Sequence, residues 1–305
     1  MKNIKKILLT ISIFLGTMHI TNVKALSIDD FENNNEVKNS VSASITKDEY
    51  LKLRDNYSDL LIDTFARDSI DSILNDDGIV LDEYIATTTY SDNRGNIISS
   101  NDNIISEESA KAISSKKEVN MISNISDISP NEWNVKISTT YKRLIMTINK
   151  DSDLYNVRVY NEWLKMPTVK HYDVIASRWE GNAIYRGGIE GVQNVKLKNG
   201  TTDFSMYNLE AGFDHIVHGN KGVGITMNLY DDATEIVNSM SYLLSNASKS
   251  KIIGTYQHAT SNAISLSQAT SYKFTSNGLG GCIWFNTSDV NNKYDRMKGV
   301  YYILP

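Results

Sequence analysis

Apolar residues recur along this chain at two different spacings, and the change from one to the other organises it. Beginning at Thr46, residues Tyr50, Leu53, Tyr57, Leu60, Leu61 and Phe65 fall at three- and four-residue steps, which places them on one stripe of a helix. Thr46 and Glu49 have the spacing of a capping box, and Asn75-Asp76-Asp77-Gly78 supplies a stop after the pattern fades near Ile73 and Leu74. From Ile79 the residues become β-branched and aromatic. Ile85 to Tyr90 and Ile97 to Ile98 flank Ser91-Asp92-Asn93-Arg94-Gly95-Asn96, which reads as a hairpin loop. Residues 99–131 return to Ser, Asn, Lys and Glu and read as a polar linker, with one weak helical turn around Glu107 to Ile113 and a domain boundary near residue 130.

Beyond the linker the period is two. Trp133, Val135, Ile137 and Thr139 alternate with polar neighbours, as do Tyr155, Val157 and Val159, and again Val223, Ile225, Met227 and Leu229. Turn signals separate these runs at Asn149 to Asp153, Glu180-Gly181-Asn182, Lys198-Asn199-Gly200, Gly219 to Gly222, Ser276-Asn277-Gly278 and Asn291-Asn292. The predicted fold class is therefore mainly β: an antiparallel β-sandwich-like domain over 132–305, preceded by a small helix-plus-hairpin segment over 46–98. Asp232 to Leu244 fits two readings. Asp232 and Glu235 have capping-box spacing and Ile236, Met240 and Leu243 share a helical face, while a strand with a turn fits equally.

The first residues carry a different pattern. Lys2, Lys5 and Lys6 precede an apolar run from Ile7 to Leu15, and Val23-Lys24-Ala25 closes the segment, so residues 1–25 read as a secretory signal peptide cleaved after Ala25. No cysteine follows the run to accept a lipid, and no second long apolar segment appears. Residues 26–45 are polar and read as a disordered leader. Cleavage would remove four lysines and no carboxylate, taking the formal charge from −5 to −9. Such a chain lacks the basic stripe that nucleic acid requires. Cys282 is the one cysteine, so no intramolecular disulfide forms.

Chemistry is sparse. Asp214-His215-Ile216-Val217-His218 is the densest polar cluster, and His215 with His218 could hold zinc on a helix or bend, whereas a strand would send them to opposite faces. His258 is a further candidate base for a hydrolytic site, and it could serve Cys282 were that thiol not placed in an apolar, glycine-led strand. Asp173, Glu180 and Glu190 lie among Trp163, Tyr172, Trp179 and Tyr185 as a sugar-binding face would arrange them, although Trp and Tyr also fill sandwich cores. Thr87-Thr88-Thr89 and Thr270 to Ser276 alternate as membrane-inserting hairpins do, and as ordinary edge strands do. No nucleophile elbow, phosphate loop, His-Glu-x-x-His or EF-hand loop is present, and no cofactor is predicted.

Two phrases, Trp163-Leu164-Lys165-Met166-Pro167 leading to Tyr172 to Ala176, and Gly222 to Leu229, together with Gly254 to Ala259 and Lys293 to Met297, resemble secreted β-rich proteins of low-GC Gram-positive bacteria with no assigned activity. The resemblance covers residues 133–305 and implies no functional residue. The expectation is a secreted binding or interaction protein acting at the cell envelope or outside the cell, with a glycan, envelope component or protein as partner. The alternatives are a secreted hydrolase using Asp214, His215, His218 and His258, and a membrane-active β-protein. Residues 46–98 also read as a pro-segment releasable at the linker.

Overall fold

The computed structural model describes residues 19–115, 135–208 and 213–305. Residues 1–18, which hold the basic and apolar parts of the expected signal peptide, lie outside the described residues, as do Pro130 and Trp133 of the expected linker and first strand. Eighteen strands follow in chain order. The first five are β1 (His19–Val23), β2 (Glu36–Lys38), β3 (Ser44–Thr46), β4 (Ile79–Ser91) and β5 (Ile97–Ile104). Next come β6 (Lys136–Asp151), β7 (Leu154–Lys165), β8 (Tyr172–Trp179), β9 (Ile184–Tyr185), β10 (Glu190–Leu197) and β11 (Thr202–Asn208). The chain closes with β12 (Ile216–Gly219), β13 (Gly222–Asn228), β14 (Ala233–Ser245), β15 (Lys251–Gln257), β16 (Tyr272–Leu279), β17 (Ile283–Phe285) and β18 (Val300–Ile303).

Every pairing between them is antiparallel. A nine-stranded sheet runs β1-β11-β10-β14-β7-β6-β4-β5, with β9 beside β14, and a five-stranded sheet runs β12-β13-β8-β15-β18. They pack face to face as a sandwich. Leu144, Met146, Val159, Met240 and Tyr242 of the large sheet meet Ile175, Trp179, Ile225, Ile252 and Tyr256 of the small one. Contact is close enough that a Cβ on Gly191 would lie 2.5 Å from the Ile225 Cδ1 atom.

Both sheets are covered on their outer faces too, which the alternating pattern alone does not announce. Ile145, Tyr160 and Val237 point away from the sandwich and are sealed by Leu53, Leu61, Phe65 and Ile70. On the small sheet, Val174 and Ala176 pack beneath Tyr272, Cys282, Ile283 and Phe285 of the β16–β17 hairpin. The stripe expected to form one helix is instead three: α1 (Lys47–Arg54), α2 (Asp59–Ile62) and α3 (Arg67–Asn75). Thr46 and Glu49 make the expected capping box, but Ser58 caps a new turn by accepting from the Leu61 N–H at 3.2 Å, and the chain re-aims so that the same apolar residues follow the sheet. Asp76 ends α3 in the left-handed conformation, φ 53°.

Residues 26–45 are folded, contrary to the expectation of a disordered leader. Phe31 and Ile45 are fully buried, Leu26 and Ala43 nearly so, and the Phe31 ring lies 4.9 Å from that of Tyr50. Four apolar anchors in a polar stretch suffice because the large sheet has a second apolar face to seal. Within the expected linker, β5 pairs with β4, and Glu107–Ser114 forms a helix, α4. Since β4 is also paired with β6 along its whole length, residues 46–98 are two interior and edge strands of the large sheet with the helices that cover it, not a detachable flap. Asp232 to Leu244 resolves as strand β14, bonded to β10 on one side and β7 on the other. Backbone pairing of β1 with β11 extends the sheet into the segment read as signal peptide. Thr87 to Thr89 sit inside the large sheet, and Tyr272 to Ser276 cover the small one. Among the described residues no helix is long and apolar enough to cross a membrane.

A buried polar network crosses the sandwich. The Lys142 ammonium of β6 pairs with the Asp295 carboxyl, both at 0% exposure. Asp295 Oδ1 also accepts the His258 N–H at 2.8 Å, and His258 Nδ1 lies 2.9 Å from Asp173 Oδ1. Tyr256 donates to Asp173 at 2.7 Å and accepts from the Asn238 amide at 2.9 Å. Removing one partner of such a pair leaves an uncompensated buried charge, at a cost of about 3–5 kcal/mol. Lys142→Met should therefore lower the denaturant midpoint severely, and Lys142→Met with Asp295→Leu should recover much of the loss; equal damage in single and double variants would contradict the pairing.

Candidate functional site

The three histidines singled out by sequence do not converge. His215 ends a short 3-10 turn (Phe213–His215), and its Nδ1 lies 2.7 Å from the Thr226 carbonyl oxygen. His218 lies on β12, its ring 4.4 Å from that of Tyr185. Asp214 is exposed. The run is part turn and part strand, so the two histidines take separate partners. His258 is held in the interior by Asp173, as described. Among the described residues no cluster of three or more His, Cys, Asp or Glu could hold a metal ion.

The aromatic candidates turn inward as well. Trp163 is 5% exposed; its Nε1 donates to the Tyr256 hydroxyl at 3.4 Å, its ring meets the His258 ring edge-on at 4.9 Å, and the Lys142 ammonium lies 5.3 Å from it. Trp179 is 1% exposed, donates to the Ala183 carbonyl and stacks on Tyr242, with half-buried Tyr185 on its other side. Asp173 is fully buried, Glu190 is exposed on the large sheet beside a small cavity, and Glu180 borders a larger one. Asp173 and His258 form a close acid–imidazole pair, but Tyr256, the Ala259 N–H and the Asp295 contact saturate their surroundings. Lying where β8 begins and β15 ends, this pair ties neighbouring strands of the small sheet together. Cys282 is fully buried, and burial drives its thiol pKa well above the ordinary range.

A cavity of about 550 Å³ opens on the outer face of the small sheet, and it is assembled from three pieces of chain. Alternation along β8, β15 and β18 turns Arg178, Lys251, Ile253 and Tyr301 outward, opposite the residues that enter the core. The β16–β17 hairpin forms one wall. Its reversal is at Leu279-Gly280-Gly281-Cys282, not at Ser276-Asn277-Gly278, with Gly280 at φ 61° and Gly281 at φ 69°. Gly280 is required twice over, because a Cβ there would lie 2.0 Å from Thr255 Oγ1. The segment Arg296-Met297-Lys298-Gly299 forms the other wall, and a Cβ on Gly299 would sit 2.6 Å from both the Gly254 and Gly280 carbonyl oxygens.

Charge gathers here. Arg178, Lys251, Arg296 and Lys298 line the cavity against one carboxylate, Glu180. Arg178 pairs with Glu180, which its hydrogen bond holds below the usual carboxylate pKa, and Arg178 Nε also donates to the Gly281 carbonyl at 3.2 Å. Among the described residues no carboxylate lies within ion-pair distance of Lys251, Arg296 or Lys298. Lys251 instead sits 4.2 Å from the Tyr301 ring centroid. The Arg296 guanidinium reaches the Asn292 side chain at 3.1 Å and the Ile97 carbonyl at 3.3 Å, and the Lys298 N–H donates to Asp102 at 2.6 Å. Strand β5 of the other sheet thus pins the basic arm in place. Trp284, 41% exposed, and Tyr301, 57% exposed, complete the rim. Sequence reading missed this site because its cations are scattered over 121 positions from Arg178 to Lys298, counted inclusively, and Trp284 reads there as core.

No protein-family model matches the chain. No curated protein is similar to it. Among solved structures it shows 12% identity to the enzymatically active domain of bacteriophage CBA120 tailspike protein 4, covering 39% of this chain and 15% of that one, with a TM-score of 0.19. It shows 12% identity to the pilus backbone protein RrgB of Streptococcus pneumoniae, covering 50% of this chain and 39% of that one, with a TM-score of 0.23. The chain thus spans well under half the length of either, and likenesses this remote carry no argument about its activity.

Two outcomes test this description. Gly280→Ala should destabilise the protein by about 1–3 kcal/mol, as overpacking and a left-handed backbone require, measured by chemical denaturation; an unchanged midpoint would refute the close crossing. The Cys282 thiol should resist Ellman's reagent in native protein and react only across the unfolding transition, whereas rapid native labelling would show it exposed.

Proposed function

We propose that the protein is an exported binding protein, acting at the cell envelope or outside the cell, that takes an anionic ligand in the cavity between the small sheet and the β16–β17 hairpin. The observation that carries this reading is the placing of Lys251, Arg296 and Lys298, without carboxylate partners among the described residues, around one opening in a chain whose formal charge is −5. Cations left unpaired beside a concavity are a standing attraction for an anion, and Arg with Lys binds carboxylate and phosphate oxygens through charge-assisted hydrogen bonds. Export is supported by the basic, apolar and small-residue pattern of residues 1–25. Every lining residue lies at or beyond Arg178, so cleavage after Ala25 removes none of them.

A binding role also fits the burial of the Asp173–His258 pair, which puts the chain's most enzyme-like contact out of a ligand's reach. Bulk charge and local charge make opposite forecasts on an immobilised polyanion. An acidic chain should flow through dextran sulfate resin, whereas a built cationic cavity should retain it at low ionic strength and release it as salt screens the contact. Retention lost in Lys251→Ala/Lys298→Ala, with the unfolding midpoint unchanged, is the expected result. Flow-through of the natural chain, or equal retention of the variant, would sink the proposal.

A further inference from the structure

We infer that the ligand is an acidic saccharide, a short chain of sugar rings bearing carboxylate or phosphate groups; the inference rests on the cavity being the anion site argued above. Size is the first reason. A volume of about 550 Å³ falls within the roughly 300–1,000 Å³ of sites that hold whole organic ligands, and far exceeds what one acid group fills. The charge must come attached to a body. The rim describes that body. Trp163 and Trp179 are buried, but Trp284 and Tyr301 stay open beside the cavity, offering flat apolar faces to C–H-rich rings. Lys251 over the Tyr301 ring presents a cation and an aromatic surface together, as a ring carrying an acid group would need.

Between charges and aromatics the wall consists of Ser276, Asn277 and glycine main chain at Gly278, Gly280, Gly281 and Gly299. Main chain without covering side chains lets a hydroxyl-rich partner approach closely, and the Ser276 hydroxyl and Asn277 amide supply donors and acceptors. Only Ile253 and Leu279 supply large aliphatic surface, too little to enclose a lipid chain. A peptide docking as an added strand would follow a sheet edge, whereas this cavity lies over a sheet face.

Calorimetric titration of the full chain separates these cases, using galacturonate hexamer, an oligomannoside ending in mannose 6-phosphate, neutral cellohexaose, hexaglutamate and inorganic triphosphate. At least one acidic saccharide should bind tenfold or more tightly than the neutral sugar, hexaglutamate and triphosphate. Trp284→Ala should cost that saccharide at least tenfold while leaving any triphosphate binding unchanged, and Trp284→Phe should restore much of it. Equal binding of the neutral hexamer would overturn the acidic part of the inference. Preference for hexaglutamate or triphosphate, or saccharide binding indifferent to Trp284→Ala, would overturn the saccharide while leaving the anion site standing. No binding of any probe, together with flow-through on the polyanion resin, would remove both.

Discussion

The fold depends on how two sheets come to share an interior that contains charges. Lys142 from the large sheet, Asp295 from the loop before β18, and Asp173 and His258 from the small sheet meet where an all-apolar core would otherwise close. Hydrocarbon packing resists sliding of one sheet over the other through lost contacts, and paired charges add a steeper cost, because an offset leaves an ion desolvated and alone. Burial also pushes the Tyr256 hydroxyl pKa well above its usual range, with the Asp173 carboxyl to which it donates adding to the effect, so this group stays a donor at every ordinary pH. The network therefore sets the relative position of the sheets, and with it the position of everything mounted on the outer face of the small one.

The cavity is the visible result. Its floor is the outward half of β8, β15 and β18, whose inward half belongs to the shared core, so strand alternation alone decides that Arg178, Lys251 and Tyr301 emerge side by side. Its walls stand as close as they do because main chains approach at Gly254, Gly280 and Gly299 without side chains between them. Asp102, whose carboxyl pKa burial raises, receives the Lys298 N–H from the opposite wall. A cavity floored by one sheet is thus buttressed by the other.

Much of this was legible in the sequence where a residue's neighbours decide its role. The capping box at Thr46 and Glu49, the helix stop at Asp76, the β4–β5 hairpin and the alternation in β7 and β13 are local signals, and each lies where the pattern put it. What failed was whatever depended on the second face of a sheet. The leader read as disordered because four anchors hide among polar residues, and only the apolar outer face formed by Ile145, Tyr160 and Val237 gives them a place to go. Asp232 to Leu244 was ambiguous for the same reason: β14 is buried on both faces and bonded on both edges, which erases the period that separates strand from helix. Trp163, Trp179 and His258 looked functional by chemical type and are interior by position, while Trp284, set among apolar neighbours that read as core, reaches solvent together with Tyr301.

The pin between β5 and the basic arm also constrains the order in which the molecule is made. Arg296 reaches Ile97 across 199 positions of chain, and Lys298 reaches Asp102 across 196. Contacts this distant form late, because the loop they close must be ordered before any of the gain is realised. The contacts of β5 with Arg296 and Lys298 therefore wait for the last segment of the chain, and so do Lys142 and Asp173 for Asp295 and His258. A ribosome-bound chain carries half-built sheets with charges still in water. The act that completes the cavity is the same act that locks the interior, so a chain caught before β18 arrives should behave as an open, protease-sensitive intermediate with no cavity at all.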